Sequence, residues 1–395
     1  MKVLFLHPNF PGQFKNITAY ISSLGHDVKF LCQTHYGRSI PEVERICLKG
    51  NLGDEYLLKN STSITESMRL RSRQYKAAFA RLRSQGWNPD VIVSHNGWGC
   101  GVYSRYIWPN AKFIIYSEWW YKLDAQIFLS AQRNKWLDVS HTLRSKLWER
   151  NQLAGLELLD ADEIVTPSIW QMKQLPKVLQ PKTNVISDGF DLTSLKKGAT
   201  SPSRVLTYGT RGMEAVRGFP QFILTLPSLV AKFPELSISI AGLDNINYLG
   251  KPPNGFNSWK HWAVQFVKDS RIESKIDWVG YLPKDLYVAW LQNSWCHVYL
   301  SEPYIPSWSL IEAALCCHRL VVSEGEFTRE FTNSPSTSYC DHNNIKDLTQ
   351  CIINNLDYSE NSCSSAEASS RELELLKKKV DLNASMKCWQ SLILG

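Results

Sequence analysis

The feature that most constrains the fold is an alternation of short apolar runs with helical stretches, which begins twice along the chain. In the first half, strand-like runs occupy residues 3–7, 27–32, 90–96, 111–117 and 163–168. Strands that alternate with helices are typical of a parallel sheet that is covered by helices on both faces. The first half therefore predicts an α/β domain with a doubly wound sheet.

The same alternation restarts after residues 188–204, a segment rich in Gly, Ser, Lys and Asp that predicts a linker between domains. The second set of strand-like runs occupies residues 204–209, 236–242, 275–280, 296–301 and 319–323. We expect the following segments: a Rossmann-like domain over 1–190, a linker over 191–203, a second Rossmann-like domain over 204–375 and a C-terminal helix over 376–395. The two domains are expected to face each other across a cleft, with the terminal helix packing back towards the first domain.

Composition excludes several classes of protein. Hydrophobic residues make up 44% of the chain and charged residues 21%, which suits a large packed interior and not a disordered chain. No run reaches the roughly 18 uncharged apolar residues of a membrane-spanning helix, and the apolar stretch near the N-terminus is too short for a signal peptide. Ten cysteines without a CxxC pair predict reduced, buried thiols, so we expect a cytoplasmic protein.

Charge is distributed unevenly between the two halves. Residues 1–200 hold 26 Lys and Arg against 17 Asp and Glu, a net charge of +9, whereas residues 201–395 hold 18 against 20, a net charge of −2. A basic half suggests an anionic ligand or surface, but no recognition motif for nucleic acid accompanies it. Two interpretations stay open: an anionic or membrane-associated partner, with the protein peripheral to the inner membrane face, or a solvated basic face.

Polar residues follow the predicted strands of the first domain, where ligands of such sheets bind. A single glycine follows the first strand, so the GxGxxG fingerprint of dinucleotide-binding dehydrogenases is missing. The Glu118 carboxylate lies among aromatic residues, and burial there would raise its pKa or require a cationic partner. The candidate residues of this domain are Gly12, His95, Asn96, Gly97, Trp98 and Glu118.

The second domain shows a pattern that suits phosphate. Arg211 and Arg217 lie at a strand end and a helix start, where guanidinium forks and the helix dipole together favour a diphosphate. A later strand ends at Glu302, and the next helix begins near Ser307 and carries Glu312. The free N–H groups and hydroxyls of that helix start suit phosphate, and the two carboxylates suit sugar hydroxyls.

These residues resemble the retaining glycosyltransferases of family 4, which have the GT-B fold, and more narrowly a poorly characterised bacterial branch of that family. The resemblance spans nearly the whole chain. The stretches that carry it are HPNFPGQF, DVIVSHNGWG, IIYSEWWY, DADEIVTPSIWQ, YGTRGMEAVRGF, VGYLP and YLSEPYIPSWSLIEAA. Two departures stand out: nine residues separate Glu302 from Glu312 where the family has seven, and Glu118 stands where many relatives carry a histidine.

The resemblance implies that a hexose is transferred with retention from a UDP- or GDP-linked sugar to an unidentified acceptor, without a metal or other cofactor. The second domain would bind the donor and the first the acceptor. Catalytic residues would be Glu302, Glu118 and His95. Donor-binding residues would be Gly209, Arg211, Arg217, Gly280, Leu282, Ser307, Trp308, Ser309 and Glu312, and acceptor-side residues Gly12, Asn96, Gly97 and Trp98.

Two alternatives remain at this stage. A GT-B epimerase or phosphorylase would share the donor site, although phosphorylases are usually much longer and epimerases lack the basic, aromatic-rich first domain. A non-catalytic nucleotide-sugar-binding protein would explain the altered glutamate spacing. Hydrolysis of a nucleotide sugar without acceptor distinguishes the last alternative from an active transferase.

Overall fold

A computed structural model describes residues 1–122, 124–198, 204–357 and 363–395. Within these ranges it has thirteen strands: β1 Lys2–Leu6, β2 Asp27–Cys32, β3 Glu44–Cys47, β4 Val91–His95, β5 Lys112–Tyr116, β6 Glu163–Thr166, β7 Thr183–Val185, β8 Val205–Gly212, β9 Ser237–Leu243, β10 Ile276–Gly280, β11 Cys296–Tyr299, β12 Leu320–Ser323 and β13 Thr337–Cys340.

The same ranges contain sixteen α-helices: α1 Lys15–Ser23, α2 Asp54–Asn60, α3 Ile64–Ser84, α4 Ser104–Ile107, α5 Gln126–Ala131, α6 His141–Glu149, α7 Asn151–Asp160, α8 Ile169–Met172, α9 Phe219–Lys232, α10 Trp259–Asp269, α11 Lys284–Gln292, α12 Trp308–Cys316, α13 Glu326–Thr332, α14 Ile345–Asp357, α15 Cys363–Val380 and α16 Leu382–Leu394.

The chain divides into two compact units. Unit 1 comprises Met1–Leu123, His141–Gly189 and Val380–Gly395, and unit 2 comprises Asp124–Ser140 and Phe190–Lys379. The segment Asp124–Ser140, which the sequence pattern assigns to the first domain, therefore packs with unit 2. Residues 199–203 of the expected linker lie outside the described residues.

Unit 1 is built on a parallel sheet whose described strands lie in the order β3-β2-β1-β4-β5-β6-β7. The central strands are buried along their length because helices cover both faces, which explains why they read as continuous apolar runs in the sequence. One face packs against Tyr75 and Phe79 of α3, and the other packs against Phe14 and Ile17 near α1.

Unit 2 repeats this architecture, with its described strands in the order β10-β9-β8-β11-β12-β13. Its hydrophobic core contains Phe219 and Phe222 of α9 and the inward side chains of β8, β9 and β11. Gly218, which precedes α9, has a φ of +67°, and a Cβ atom there would lie 2.4 Å from the Cβ atom of Leu300. A glycine therefore lets the start of α9 approach the end of β11 closely.

The two doubly wound sheets confirm the predicted fold class. Two details differ from the sequence prediction. β8 continues three residues beyond Gly209, because a bulge between Gly209 and Gly212 keeps it paired with β9. The expectation also omits β3, β7 and β13, which are short strands of three or four residues.

Two other expectations concern the state of the cysteines and the presence of a membrane-spanning helix. Six of the nine cysteines whose side chains the structure describes are buried, and none of these nine forms a disulfide. A search of the described part of the chain found no helix both long and apolar enough to cross a bilayer.

The terminal helix α16 belongs to unit 1, as the sequence pattern predicts, but it begins at Leu382 and not at residue 376, because α15 continues to Val380 and Asp381 caps α16. Met386, Trp389 and Ile393 of α16 are buried in the same hydrophobic cluster as Phe5 and Phe30 of the sheet. The Trp389 ring stacks on Tyr116 with ring centroids 6.5 Å apart, and Lys112 donates to the Leu392 carbonyl at 2.6 Å. The helix is therefore an integral part of this unit.

Replacing Trp389 with alanine should remove most of the apolar contact of α16. We expect a loss of about 3–5 kcal/mol in the free energy of unfolding of unit 1, the usual cost of truncating a buried tryptophan. Urea unfolding and limited proteolysis measure this loss. Trp148→Ala is the matched control, because Trp148 also lies in unit 1 but is 44% exposed. Equal stability of the two variants would contradict the role assigned to α16.

Candidate active site

In each unit the strand order reverses at one point, between β1 and β4 in unit 1 and between β8 and β11 in unit 2. Ligands of open parallel sheets bind in the crevice at the carboxyl ends of the strands beside such a reversal. The residues that follow these four strands are therefore the candidates for a functional site in either unit.

Two histidines meet at the reversal point of unit 1. His7 follows β1 and His95 ends β4, and their rings lie 4.9 Å apart, edge to face. Both are buried. Burial lowers the pKa of His7 well below its usual value, and the neighbouring His95 lowers it further. His7 is consequently a neutral ring that supports His95.

Glu118 approaches His95 from the next strand, as the predicted acceptor-side cluster requires. Its Oε2 atom lies 3.5 Å from His95 Nε2, and its Oε1 atom accepts a hydrogen bond of 2.7 Å from the side chain of Gln13. Burial alone would raise the pKa of Glu118, but the hydrogen bond and charge of His95 and the Gln13 amide bring it below its usual value. The arrangement is a carboxylate beside an imidazole.

Gly12 is necessary for this packing. It has a φ of +54°, and a Cβ atom there would lie 2.8 Å from the His7 ring. Any side chain at this position would displace His7 and with it His95. The predicted residue Gly12 therefore shapes the site through its lack of a side chain.

The three residues after His95 have different roles. The Asn96 side chain donates to the Ala154 carbonyl at 3.0 Å and to Glu157 at 3.2 Å, so its amide is engaged inside unit 1. Gly97 has a φ of +85°. The half-buried Trp98 ring lies 5.6 Å from the Arg71 guanidinium, which also donates to the Trp98 carbonyl.

Glu157 of α7 is a buried carboxylate that the sequence pattern does not single out. It accepts hydrogen bonds from the Gly101 N–H group at 2.7 Å and from the Asn96 amide. Burial raises its pKa to about 7, although the N–H groups of Gly101 and Gly97 act in the opposite direction. Glu157 therefore titrates near neutral pH below the strand-end loop that carries Asn96.

In unit 2, Arg217 lies at the reversal point. Its Nη1 atom donates to Ser301 Oγ at 3.0 Å and lies 3.5 Å from the Tyr299 hydroxyl, both at the end of β11. Its guanidinium lies 5.2 Å from the ring centre of Tyr248, whose ring contacts Tyr304. The predicted diphosphate-binding arginine is thus oriented by hydroxyl groups and aromatic rings.

The start of α12 lies next to this arginine. Ser307 donates through its hydroxyl to the Tyr299 hydroxyl at 3.0 Å, and its Oγ atom lies 2.7 Å from Ser309 Oγ. Tyr299 therefore links Ser307 to Arg217. No side chain caps the N-terminus of α12, and Trp308 at its first position is 49% exposed. Arg217, Ser307 and Ser309 are brought together as the sequence predicts.

Glu312 lies one turn into α12 and is nearly buried. Its carboxylate forms an ion pair with Lys284, the first residue of α11. Lys284 follows the loop that contains Gly280, with a φ of +68°, and the half-buried Leu282. The pair thus joins the predicted ribose-binding carboxylate to the predicted base-binding loop.

The remaining donor-side predictions lie along β8. Arg211 is exposed near the end of this strand. Gly209 lies inside the strand and not after it, and a Cβ atom there would lie 3.1 Å from the Trp290 ring. Gly209 is therefore placed by packing against Trp290 of α11.

Glu302 follows β11 and has no exposed surface. Its carboxylate accepts hydrogen bonds from Ser130, from Asn134 at 2.9 Å, and from His342 and Asn343 at 3.2 Å each. Burial alone would raise its pKa, but His342 and the other donors lower it to about 2. The carboxylate predicted to contact the donor sugar is thus ionised and fully surrounded by groups of unit 2.

Several residues of these clusters are not among the site residues that the sequence predicts. The hydroxyls of Tyr299 and Ser301 could have been found, because they end the strand before Glu302. Glu214 also follows β8, and its carboxylate accepts from the Tyr248 N–H group at 2.8 Å. The other unforeseen residues are Tyr248, Lys284, Ser130, Asn134, His342 and Asn343, which no local pattern connects to the predicted ones.

Comparison with protein families gives a match over part of the chain. Residues 24–195 match the model described as glycosyl transferase family 4 group. The matched segment is less than half of the chain. The matched segment contains β4, β5 and the loops with His95 and Glu118. No curated protein matches the chain by sequence.

Solved structures match over the whole length. A sucrose-phosphate synthase from Thermosynechococcus elongatus superposes with a TM-score of 0.71 over 99% of this chain and 98% of its own, at 14% identity. A glycosyltransferase from Rickettsia africae superposes with a TM-score of 0.68 over 99% of this chain and 97% of its own, at 14% identity. An E. coli chain described as trehalose-6-phosphate bound with UDP-2-fluoro glucose superposes with a TM-score of 0.65 over 100% of this chain and 99% of its own, at 12% identity.

The chain is a glycosyltransferase with the GT-B fold. The family match supports the activity, and the structural likeness at this low identity supports the fold. Both units of this glycosyltransferase carry a polar cluster at the reversal point of the sheet, with His95 and Glu118 in unit 1 and Arg217 and Ser307 in unit 2.

The raised pKa of Glu157 makes the stability of this glycosyltransferase depend on pH. Its carboxyl has a pKa of about 7 in the folded chain against 4.5 when unperturbed, so the folded state holds the proton more tightly. This contribution to the free energy of unfolding is fully present below about pH 4.5 and is lost as pH rises through about 7. Between about pH 5 and pH 8 the loss should reach about 2–3 kcal/mol.

Urea unfolding of the wild type and of Glu157→Gln across this pH range tests the prediction. The substituted protein should lack the downward slope, because its amide does not titrate. Glu55→Gln is the matched control, since Glu55 is an exposed glutamate on a helix of unit 1. Parallel pH profiles for the wild type and Glu157→Gln would show that Glu157 is not the titrating group.

Proposed function

We propose that the protein transfers a hexose, with retention, from a nucleotide-diphosphate sugar to an acceptor, without a metal ion. The observation that carries this proposal is the cluster at the reversal point of unit 2, where Arg217, Ser307 and the uncapped start of α12 converge through Tyr299. Guanidinium, hydroxyl and helix N–H groups are together the donors that phosphate oxygens prefer.

The nucleoside would lie along the adjoining loop. Glu312 offers a carboxylate for ribose hydroxyls, and Lys284 holds it in place. The backbone from Gly280 to Leu282 would contact the base. The E. coli structure with the same fold is described as bound with UDP-2-fluoro glucose, which supports a UDP-linked donor as the first candidate and a GDP-linked donor as the second.

Arg217 and the N-terminus of α12 would neutralise the charge that develops on the leaving diphosphate, the role that a metal ion has in other enzymes. In a retaining reaction of this kind the leaving phosphate assists attack from its own face, so no protein nucleophile is needed. The expected behaviour is activity that EDTA does not reduce.

We assign the acceptor to unit 1, at the cluster of His95, Glu118 and Gly12. The sucrose-phosphate synthase that shares the fold is named for a phosphorylated sugar, which supports an anionic acceptor here. The basic helix α3 offers further support, because Arg69, Arg73 and Arg81 recur at multiples of four residues and are exposed. Arg71, by contrast, is buried and bonded to Gln33.

A second candidate is a nucleotide-sugar-binding protein without transferase activity. The enclosure of the Glu302 carboxylate by four side chains favours it, because a catalytic or sugar-binding carboxylate must be reachable. The two candidates differ in one measurement. A transferase releases nucleoside diphosphate from its donor slowly in water and faster with an acceptor, whereas a binding protein releases none.

A thermal-shift screen of UDP- and GDP-linked hexoses identifies the donor, because a ligand adds RT ln(1 + [L]/Kd) to the free energy of unfolding. The donor so found is then incubated with sugar phosphates and neutral sugars, with and without EDTA. Release of nucleoside diphosphate that depends on the acceptor supports the transferase. Binding without release supports the second candidate.

Arg217→Ala should lower kcat/KM, because it removes about 2–4 kcal/mol of transition-state stabilisation, the scale of losing one preorganised donor. Arg204→Ala is the matched control, because Arg204 precedes the same strand β8 and pairs with Glu235. An Arg217→Ala protein with unchanged kcat/KM would exclude Arg217 from the diphosphate site.

Glu312→Gln should weaken binding of the free nucleoside diphosphate by about 1.5–3 kcal/mol, the range for hydrogen bonds to charged groups. The fold should persist, since the amide oxygen still accepts from Lys284. Calorimetric titration measures the affinity, with the exposed and ion-paired Glu235→Gln as control. Equal affinity of the wild type and Glu312→Gln would remove Glu312 from the ribose site.

A further inference from the structure

One part of unit 2 comes from the first half of the chain. We name this segment, Asp124–Ser140, the strap. Ala131 and Leu137 of the strap are buried in the hydrophobic core of unit 2, and Trp136 lies 5.4 Å from Trp259, edge to face. The strap is therefore folded onto unit 2.

The strap crosses the reversal point of the unit 2 sheet. The Asn134 amide donates to the Ala215 carbonyl at 3.3 Å and to the Glu302 carboxylate at 2.9 Å. Ala215 follows β8 and Glu302 follows β11, the two strands between which the order reverses. The strap thus occupies the position where a ligand of this sheet is expected.

The groups that the strap presents to Glu302 resemble those of a sugar. Ser130 donates its hydroxyl to Oε2, and the Asn134 amide donates to Oε1. A hexose presents hydroxyls that donate to a carboxylate in the same way. With both strap donors in place the carboxylate has no exposed surface.

Glu302 also has donors that do not belong to the strap. His342 Nε2 and Asn343 Nδ2 each lie 3.2 Å from Oε1, and both follow β13 in unit 2. An ionised carboxylate that lost all its partners would be costly to keep buried. Because His342 and Asn343 remain, Glu302 can exchange the strap donors for those of a ligand.

The other polar anchor of the strap is weak. Arg133 pairs with Asp341 at 2.9 Å, but the two side chains are 62% and 36% exposed. Exposed ion pairs contribute little to stability. The buried hydrogen bonds of Asn134 to Glu302 and Ala215 therefore hold this part of the strap more firmly than the Arg133 pair does.

We infer that the strap is a substitute for the donor hexose: Ser130 and Asn134 take the places of two sugar hydroxyls at Glu302 until a nucleotide sugar displaces them. The inference rests on the proposed function. It explains how Glu302 can be enclosed in the free protein and still belong to the donor site. A free nucleoside diphosphate, which has no hexose, leaves the strap in place.

The test compares two ligands in four proteins. Calorimetry measures the affinities of UDP-glucose and UDP, or of GDP-mannose and GDP if the screen selects guanine, for the wild type, Ser130→Ala, Asn134→Ala and Gln132→Ala. The first two variants should bind the nucleotide sugar about tenfold more tightly, equivalent to about 1.4 kcal/mol, with unchanged affinity for the diphosphate. Gln132, exposed on the same segment, is the control and should change neither affinity.

Unchanged affinity for the nucleotide sugar in both variants would overturn the inference. So would weaker binding of the nucleotide sugar alone, which would mean that Ser130 or Asn134 contacts the sugar directly. Failure of the wild type to bind either nucleoside diphosphate is a different result, which overturns the proposed function and this inference with it.

Hydrogen exchange is measured in the wild type, so a folding defect of a substituted protein cannot affect this result. Ala131, Asn134 and Leu137 of the strap are buried in unit 2, so their amides become more accessible to water when the strap is displaced, and their exchange reports this displacement. The nucleotide sugar should speed the exchange of residues 124–140 and the diphosphate should not. Equal protection of the strap with both ligands would contradict displacement.

Discussion

The constraint on which the structure depends is that parallel strands buried on both faces are mostly apolar, which leaves their ends as the place for charged side chains. In both units the central strands are mostly apolar, and buried exceptions such as Thr207 and His297 bond to each other, so charged groups collect where the chain leaves the sheet. The strand order places two such ends side by side at each reversal point. His7 with His95, and Arg217 with Glu302, are the outcome of this geometry.

Four glutamates show how much the immediate surroundings decide. Glu118 and Glu302 each face a histidine and several donors, and their pKa values lie below the usual range. Glu157 is as buried as Glu302 but accepts hydrogen bonds from a backbone N–H group and an amide, and its pKa is raised to about 7. Glu312 is paired with a lysine that is itself more than half exposed. Sequence alone shows four glutamates, two after strands and two on helices, and does not reveal these differences in their surroundings.

The fold could be predicted from the sequence further than the site could. The strands β1, β4 and β5 contain continuous apolar runs, so their pattern indicated buried strands directly. The strands β3, β7 and β13 have three or four residues with polar members, which no periodicity reveals.

Candidate site residues could be proposed from the sequence where they lie at or just after a strand end, as His95 and Arg217 do. Site residues could not be predicted where their contacts depend on tertiary folding. Asn134 lies 168 residues from Glu302 in the chain, and His342 lies 40 residues away. Lys284 meets Glu312 only because α11 and α12 are neighbours. The expected spacing of the two glutamates could not show that one would be enclosed.

The placement of α16 in unit 1 has a consequence for how the protein is made. The hydrophobic cluster around Phe5 and Tyr116 is completed by Met386, Trp389 and Ile393, which a ribosome adds after all of unit 2. During translation, unit 2 can fold as soon as its residues leave the exit tunnel, while part of one apolar face of the unit 1 sheet is still uncovered. The order of synthesis is thus opposite to the order of completion, and the first half of the nascent chain is the part that a chaperone would need to shield.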